Sequence, residues 1–167
     1  MEYQIHKFEA AFFEALEQGN PHIYLLSGNY GSGRTHWLKN SLEDFYKKIL
    51  SKIYPDLVYE EIIFRPDNAQ RILDTIIAEI DAMEDKNLIY CIDEFSVAHL
   101  SDEVKRTVSN FLIKANQLIN EHKKPVFLFL VISKEDLAFV KESLPDFEVL
   151  HFNFDKFLRR IAYPEEI

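Results

Sequence analysis

Apolar positions recur along this chain with two periods, and the two kinds of stretch alternate. Over residues 5–16 the side chains Ile5, Phe8, Phe12, Ala15 and Leu16 return at three- and four-residue steps, which predicts an amphipathic helix closed by Gly19-Asn20-Pro21. Ile23-Tyr24-Leu25-Leu26 is unbroken and short, as in a strand buried on both faces. A helix is expected over 35–52, with Trp37, Leu38, Leu42, Phe45, Ile49 and Leu50 on one side, and a second strand over 57–64. Asp67 or Asn68 can cap the next helix, whose period is held by Ile72, Leu73, Ile76, Ile77, Ile80 and Met83. A third strand, 88–92, runs into Asp93-Glu94. A long helix is expected over 102–121, with Val104, Val108, Phe111, Leu112, Ala115, Leu118 and Ile119 inward. VFLFLVIS, after Pro125, is the strongest strand signal; a short helix over 134–143, a fifth strand over 148–154 and a helical turn at 156–161 follow. Strands that are continuously apolar and alternate with helices predict an α/β fold, with a parallel sheet covered on both faces.

Composition narrows the function classes. With 167 residues, 47% of them hydrophobic, the chain can bury one sizeable core, and a single domain over 1–167 is expected. A net charge of -9 argues against a protein that coats nucleic acid, since neutralising phosphates requires a surplus of Lys and Arg; direct DNA binding is expected to be weak or absent. There is no apolar run of membrane-spanning length and no signal-peptide pattern at the start, so a cytoplasmic protein with no membrane partner is expected. Cys91, the one cysteine, lies inside LIYCI and reads as a small buried hydrophobe.

The chemistry is concentrated in GNYGSGRT: Gly28, Asn29, Tyr30, Gly31, Ser32, Gly33, Arg34 and Thr35. The octapeptide fits the phosphate-loop pattern G-x-x-x-x-G-K-[ST] except that Arg34 replaces the lysine. Three of the chain's four glycines fall within it, between an expected strand and an expected helix. Glycines let successive main-chain N–H groups converge on an anion, and the helix N-terminus adds partial positive charge. Thr35 offers a hydroxyl for Mg²⁺, and His36 reads as a support of the loop. Arg34 can grip phosphate oxygens but lacks the compact charge of an ammonium, so ATP or ADP binding is more secure than hydrolysis. One strand and one helix later, Asp93-Glu94 closes an apolar strand, with Asp93 placed to orient Mg²⁺ and Glu94 to polarise an attacking water.

IYLLSGNYGSGRTHW resembles the phosphate loop of the bacterial replication initiator DnaA, and more closely that of its regulatory relatives of the Hda type. The similarity continues through IDEF, through the strand ending Val131-Ile132-Ser133, and into Leu144-Pro145-Asp146. The resemblance implies a P-loop NTPase core of AAA+ type, with a five-stranded parallel sheet in the order 5-1-4-3-2. It also implies a γ-phosphate-sensing role for Ser133, and a partner that is another AAA+ or replisome protein, such as a DnaA-like protein or a sliding clamp.

The departures are as informative. Lys134 stands where the family usually carries an acid, and no arginine lies between Arg106 and Arg159, so the arginine that reaches into a neighbouring subunit is missing from its expected place. The helical lid and the DNA-reading domain are expected to be absent, and hydrolysis to be slow or partner-dependent. Gln4-Ile5-His6-Lys7-Phe8 loosely resembles a clamp-binding peptide but reads better as a first helical turn. Arg159-Arg160 reads as a helix C-terminus rather than a phosphate contact. Two classes remain: a nucleotide-dependent switch or weak ATPase, and a non-hydrolysing interaction module with a structural nucleotide or none.

Overall fold

The computed structural model describes residues 10, 14, 17, 18, 23–29, 33–144 and 149–153, with backbone alone at Ser41 and 149–153. Five parallel strands form the sheet: β1 (Ile23–Gly28), β2 (Val58–Ile63), β3 (Leu88–Asp93), β4 (Val126–Ser133) and β5 (Val149–Asn153). The four whose side chains are described lie in the order β2-β3-β4-β1, and the backbone of β5 pairs with the free side of β1. The architecture is therefore α/β with a parallel sheet flanked by helices, as the unbroken apolar strands require.

Successive residues of each strand point to opposite faces, and two cores result. On one face Ile23, Leu25, Tyr90, Ile92, Leu128 and Leu130 pack against α2 (Ala69–Ala82) and α3 (Asp102–Asn116). On the other, Tyr24, Leu26, Ile89, Cys91, Phe127 and Phe129 pack against Trp37, Leu38, Leu42 and Leu50 of α1, the helical stretch over residues 34–53. Tyr24 stacks on Phe129 across the strands at 4.5 Å between ring centroids.

Several boundaries differ from the sequence reading for local reasons. α1 contains two π-helical stretches, Leu38–Leu42 and Tyr46–Leu50, which the apolar period does not reveal. α2 opens through a 3-10 turn, Pro66–Asn68, and no side chain caps it, so the expected cap by Asp67 or Asn68 is corrected: Pro at the first position orders that turn instead. Ser101 caps α3 by accepting a hydrogen bond from the Val104 amide at 3.3 Å. The last described helix, α4 (Asp136–Ser143), begins two residues later than expected. Ala10, Glu14, Glu17 and Gln18 are helical; the remainder of the helix expected over 5–16 and the turn expected at 156–161 lie outside the described residues. Among the described residues no helix is long and apolar enough to cross a membrane.

Candidate functional site

The C-terminal ends of β1, β4 and β3 lie side by side, where parallel α/β sheets place their ligands. Gly28, the last residue of β1, is in register with Ser133, the last residue of β4. Asn29 follows in the open, Tyr30, Gly31 and Ser32 lie outside the described residues, and the chain re-enters at Gly33. Gly33 has φ +94°, a left-handed conformation that turns the backbone into α1, and none of the described residues stands within 4 Å of where a Cβ would be. The site thus has a strand, a turn that favours glycine, and a helix N-terminus.

α1 begins with the two residues that matter most. The Thr35 hydroxyl donates to Asp93 Oδ1 at 3.1 Å, joining the start of the helix to the end of β3 across 58 residues. Asp93 is 2% exposed, and the same oxygen accepts the Glu94 amide at 2.8 Å. Glu94 itself is exposed and has φ +54°, a left-handed turn that leads the chain off the sheet. A hydroxyl and a buried carboxylate side by side at a helix N-terminus are hard oxygen donors of the kind Mg²⁺ prefers. Among the described residues no group of three His, Cys, Asp or Glu side chains gathers, so an ion held by Thr35 and Asp93 would complete its shell with water or phosphate oxygens.

Arg34 is bent back over the sheet. Its Nη1 donates to the carbonyl of Ile132 at the end of β4, and its Nη2 to the carbonyl of Asn29 at 3.4 Å. If it turned onto a phosphate it would exchange these main-chain acceptors for anionic ones, an exchange that charge-assisted bonding favours. His36, near the start of α1, is exposed; Asn40 Nδ2 donates to its carbonyl at 3.0 Å and lies 3.2 Å from its Nδ1.

Sequence reasoning missed Asp136. Its side chain is fully buried and accepts four hydrogen bonds. Oδ1 takes the amides of Val97 and Ala98 at 2.8 and 2.7 Å; Oδ2 takes the Ser133 amide at 2.9 Å and the Ser133 hydroxyl. The Asp136 amide returns a bond to Ser133 Oγ at 3.3 Å, giving the reciprocal pattern of a capping box. The signal was present as Ser133-Lys134-Glu135-Asp136. Ser133 therefore stands in register with Gly28, with its one hydroxyl hydrogen given to Asp136. Asp136 also ties the end of β4 to the segment that follows Asp93-Glu94.

No protein-family model and no curated protein matches the chain. Solved structures do. The ORC2 protein of Aeropyrum pernix, determined in ADPNP–ADP complexes, aligns over 90% of this chain with a TM-score of 0.60 and 15% identity. A chain of the Drosophila ORC bound to DNA aligns over 92% with a TM-score of 0.59 and 15% identity. A chain of the Escherichia coli MS115-1 HORMA:CdnC:Trip13 complex aligns over 91% with a TM-score of 0.50 and 16% identity. The aligned region makes up 46%, 42% and 57% of those chains, so this chain spans about half their length. At such identities the likeness establishes a shared fold.

Proposed function

We propose that this chain is an adenine-nucleotide-binding module of AAA+ type that serves DNA replication as a regulator or accessory factor. The observation that carries the reading is the Thr35–Asp93 hydrogen bond. It brings the last residue of the phosphate-loop pattern to the aspartate that ends β3, which is where the chemistry needs both. The main-chain amides entering α1 would hold the phosphates, Arg34 would move onto their oxygens, and Thr35 with Asp93 would hold Mg²⁺. Bound there, Mg²⁺ would neutralise phosphate charge. Glu94, beyond Asp93 and facing solvent, would orient a water. The replication assignment draws on the similarity of GNYGSGRTH to DnaA and Hda loops and on the fold shared with the two ORC proteins. An Hda-type regulator whose hydrolysis depends on a partner is its sharper form.

A second reading has its own support. The Ser133 hydroxyl is bonded to Asp136 and the Arg34 guanidinium to two carbonyls, so two of the groups proposed to meet phosphate are engaged within the protein. That arrangement suits a non-hydrolysing module in which nucleotide is structural. Titration calorimetry with ATP and ADP, each with Mg²⁺, tests the shared core of both readings. Binding is expected in the wild type and should weaken about tenfold or more in Gly33→Val, Arg34→Ala and Thr35→Ala. Equal affinity in all four proteins would remove the loop from the site.

A further inference from the structure

β2 is the edge strand of the sheet, and its outer side is open among the described residues. The Val58 amide bonds to Asn87 O at one end and the Phe64 amide to Asp93 O at the other. The period of two therefore turns residues 58, 60, 62 and 64 toward β3, and leaves the N–H and C=O groups of Tyr59, Glu61 and Ile63 pointing outward. Ile63 is 36% exposed, consistent with an uncovered edge. Such a row of unpaired main-chain groups is a template for an added strand.

The side chains of this edge carry charge in a particular arrangement. Glu60 is in register with Tyr90 and lies on the face of α2, beside Glu79. Glu61 is in register with Cys91 and lies on the face of α1, near Lys39 and Glu43 and within 3.4 Å of the Tyr59 hydroxyl. One carboxylate thus stands on each face of the edge, at adjacent positions, with Val58 and Tyr59 before them and Ile62 and Ile63 after. Glu60 has a second carboxylate, Glu79, for a neighbour. A second copy of the same edge would set like charges opposite one another, which disfavours self-pairing.

We propose that the outer edge of β2 binds an extended segment of a partner protein that carries two adjacent basic residues between β-branched ones. Consecutive side chains of a strand point to opposite faces, so adjacent Lys or Arg side chains meet Glu60 on one face and Glu61 on the other. Basic residues two apart would both fall on one face and leave the other glutamate unmatched. The main-chain bonds supply attachment and the paired charges select sequence and register.

The test uses labelled hexapeptides, capped at both ends, in fluorescence anisotropy at low and moderate salt. Thr-Val-Lys-Lys-Val-Thr is expected to bind, and Thr-Lys-Val-Lys-Val-Thr, of identical composition, to bind about fivefold more weakly. Methylating alternate main-chain nitrogens of the first peptide should abolish binding. The double variant Glu60→Lys/Glu61→Lys, checked for folding by circular dichroism, should lose it and take up Thr-Val-Glu-Glu-Val-Thr instead. Equal binding of the two lysine peptides, or of the methylated one, would mean plain attraction to an acidic protein and would overturn the proposal. So would retention of the first peptide by the double variant, or no binding of it up to about 1 mM.

Discussion

At the scale of single residues, the most heavily bonded side chain at the candidate site is one that no nucleotide motif would single out. Asp136 holds three main-chain amides and one hydroxyl in a fully buried position. Removing the carboxylate leaves the amides of Val97, Ala98 and Ser133 without their acceptor, at a cost of roughly 1–3 kcal/mol for each that stays dry. Asp136→Ala is therefore expected to lower unfolding stability by about 3 kcal/mol in urea titrations. Ser133→Ala, which removes only the capping hydroxyl, should cost about 1 kcal/mol. Equal losses would show that Asp136 does no more than cap α4. Thr35 and Asp93 were both legible in the sequence because their motifs carry a fixed spacing within strand and helix. Asp136 was not, since an acid in the first turn of a helix is ordinary, and what distinguishes this one is the second segment it grips.

At the scale of elements, α2 shows how a regular pattern can conceal an electrostatic conflict. Its period was plain in the sequence, and Leu73, Ile76 and Ile80 are buried as that period requires. The same geometry lowers Glu79 against the edge strand. Burial first, and then the neighbouring Glu60, push its carboxyl up to about 7 from an ordinary value of 4.5. A raised native value means that the folded protein holds this proton more tightly than the unfolded chain does. Stability should therefore fall as pH rises between about 4.5 and 7, and the full cost of ionisation is present above that window. Because the residue is only partly buried, that cost is reduced by solvent screening and is expected to be on the order of 1 kcal/mol. Glu79→Gln should raise the melting temperature by about 2–4 °C at pH 8, with the gain vanishing near pH 4.5. A gain of the same size at both pH values would assign the effect to packing.

At the scale of the whole molecule, net charge constrains the partners of a fold that by itself specifies none. The fold is shared with ORC chains, one of them solved bound to DNA, yet this chain carries a net charge of -9. A diffuse negative field opposes contact with phosphate backbones, so duplex DNA should not bind measurably at physiological salt. On the AAA+ reading proposed above, the absence of any arginine between Arg106 and Arg159 would remove the source of charge expected for a neighbour's site. Turnover by the isolated protein is then expected to be slow and nearly independent of its own concentration. It should rise on addition of an AAA+ partner that donates an arginine, and Glu94→Gln should abolish that rise while leaving ATP bound. Fast turnover that climbs steeply with this chain's own concentration would overturn the missing-arginine argument.

Among the described residues, the sequence by itself determined which segments are strands and which are helices, because buried parallel strands must be continuously apolar and the helices covering them must be apolar on one side. It also marked the candidate phosphate loop, since three glycines between a strand and a helix answer a steric demand that is local. Tertiary structure decided everything that depends on which segments become neighbours. It bent Arg34 onto the carbonyls of Ile132 and Asn29. It gave the Ser133 hydroxyl to Asp136, and left Glu60 and Glu61 on the open edge of the sheet. Hydrophobic period is written along the chain, whereas a hydrogen bond or a charge contact between distant residues exists only once strand order has brought them together.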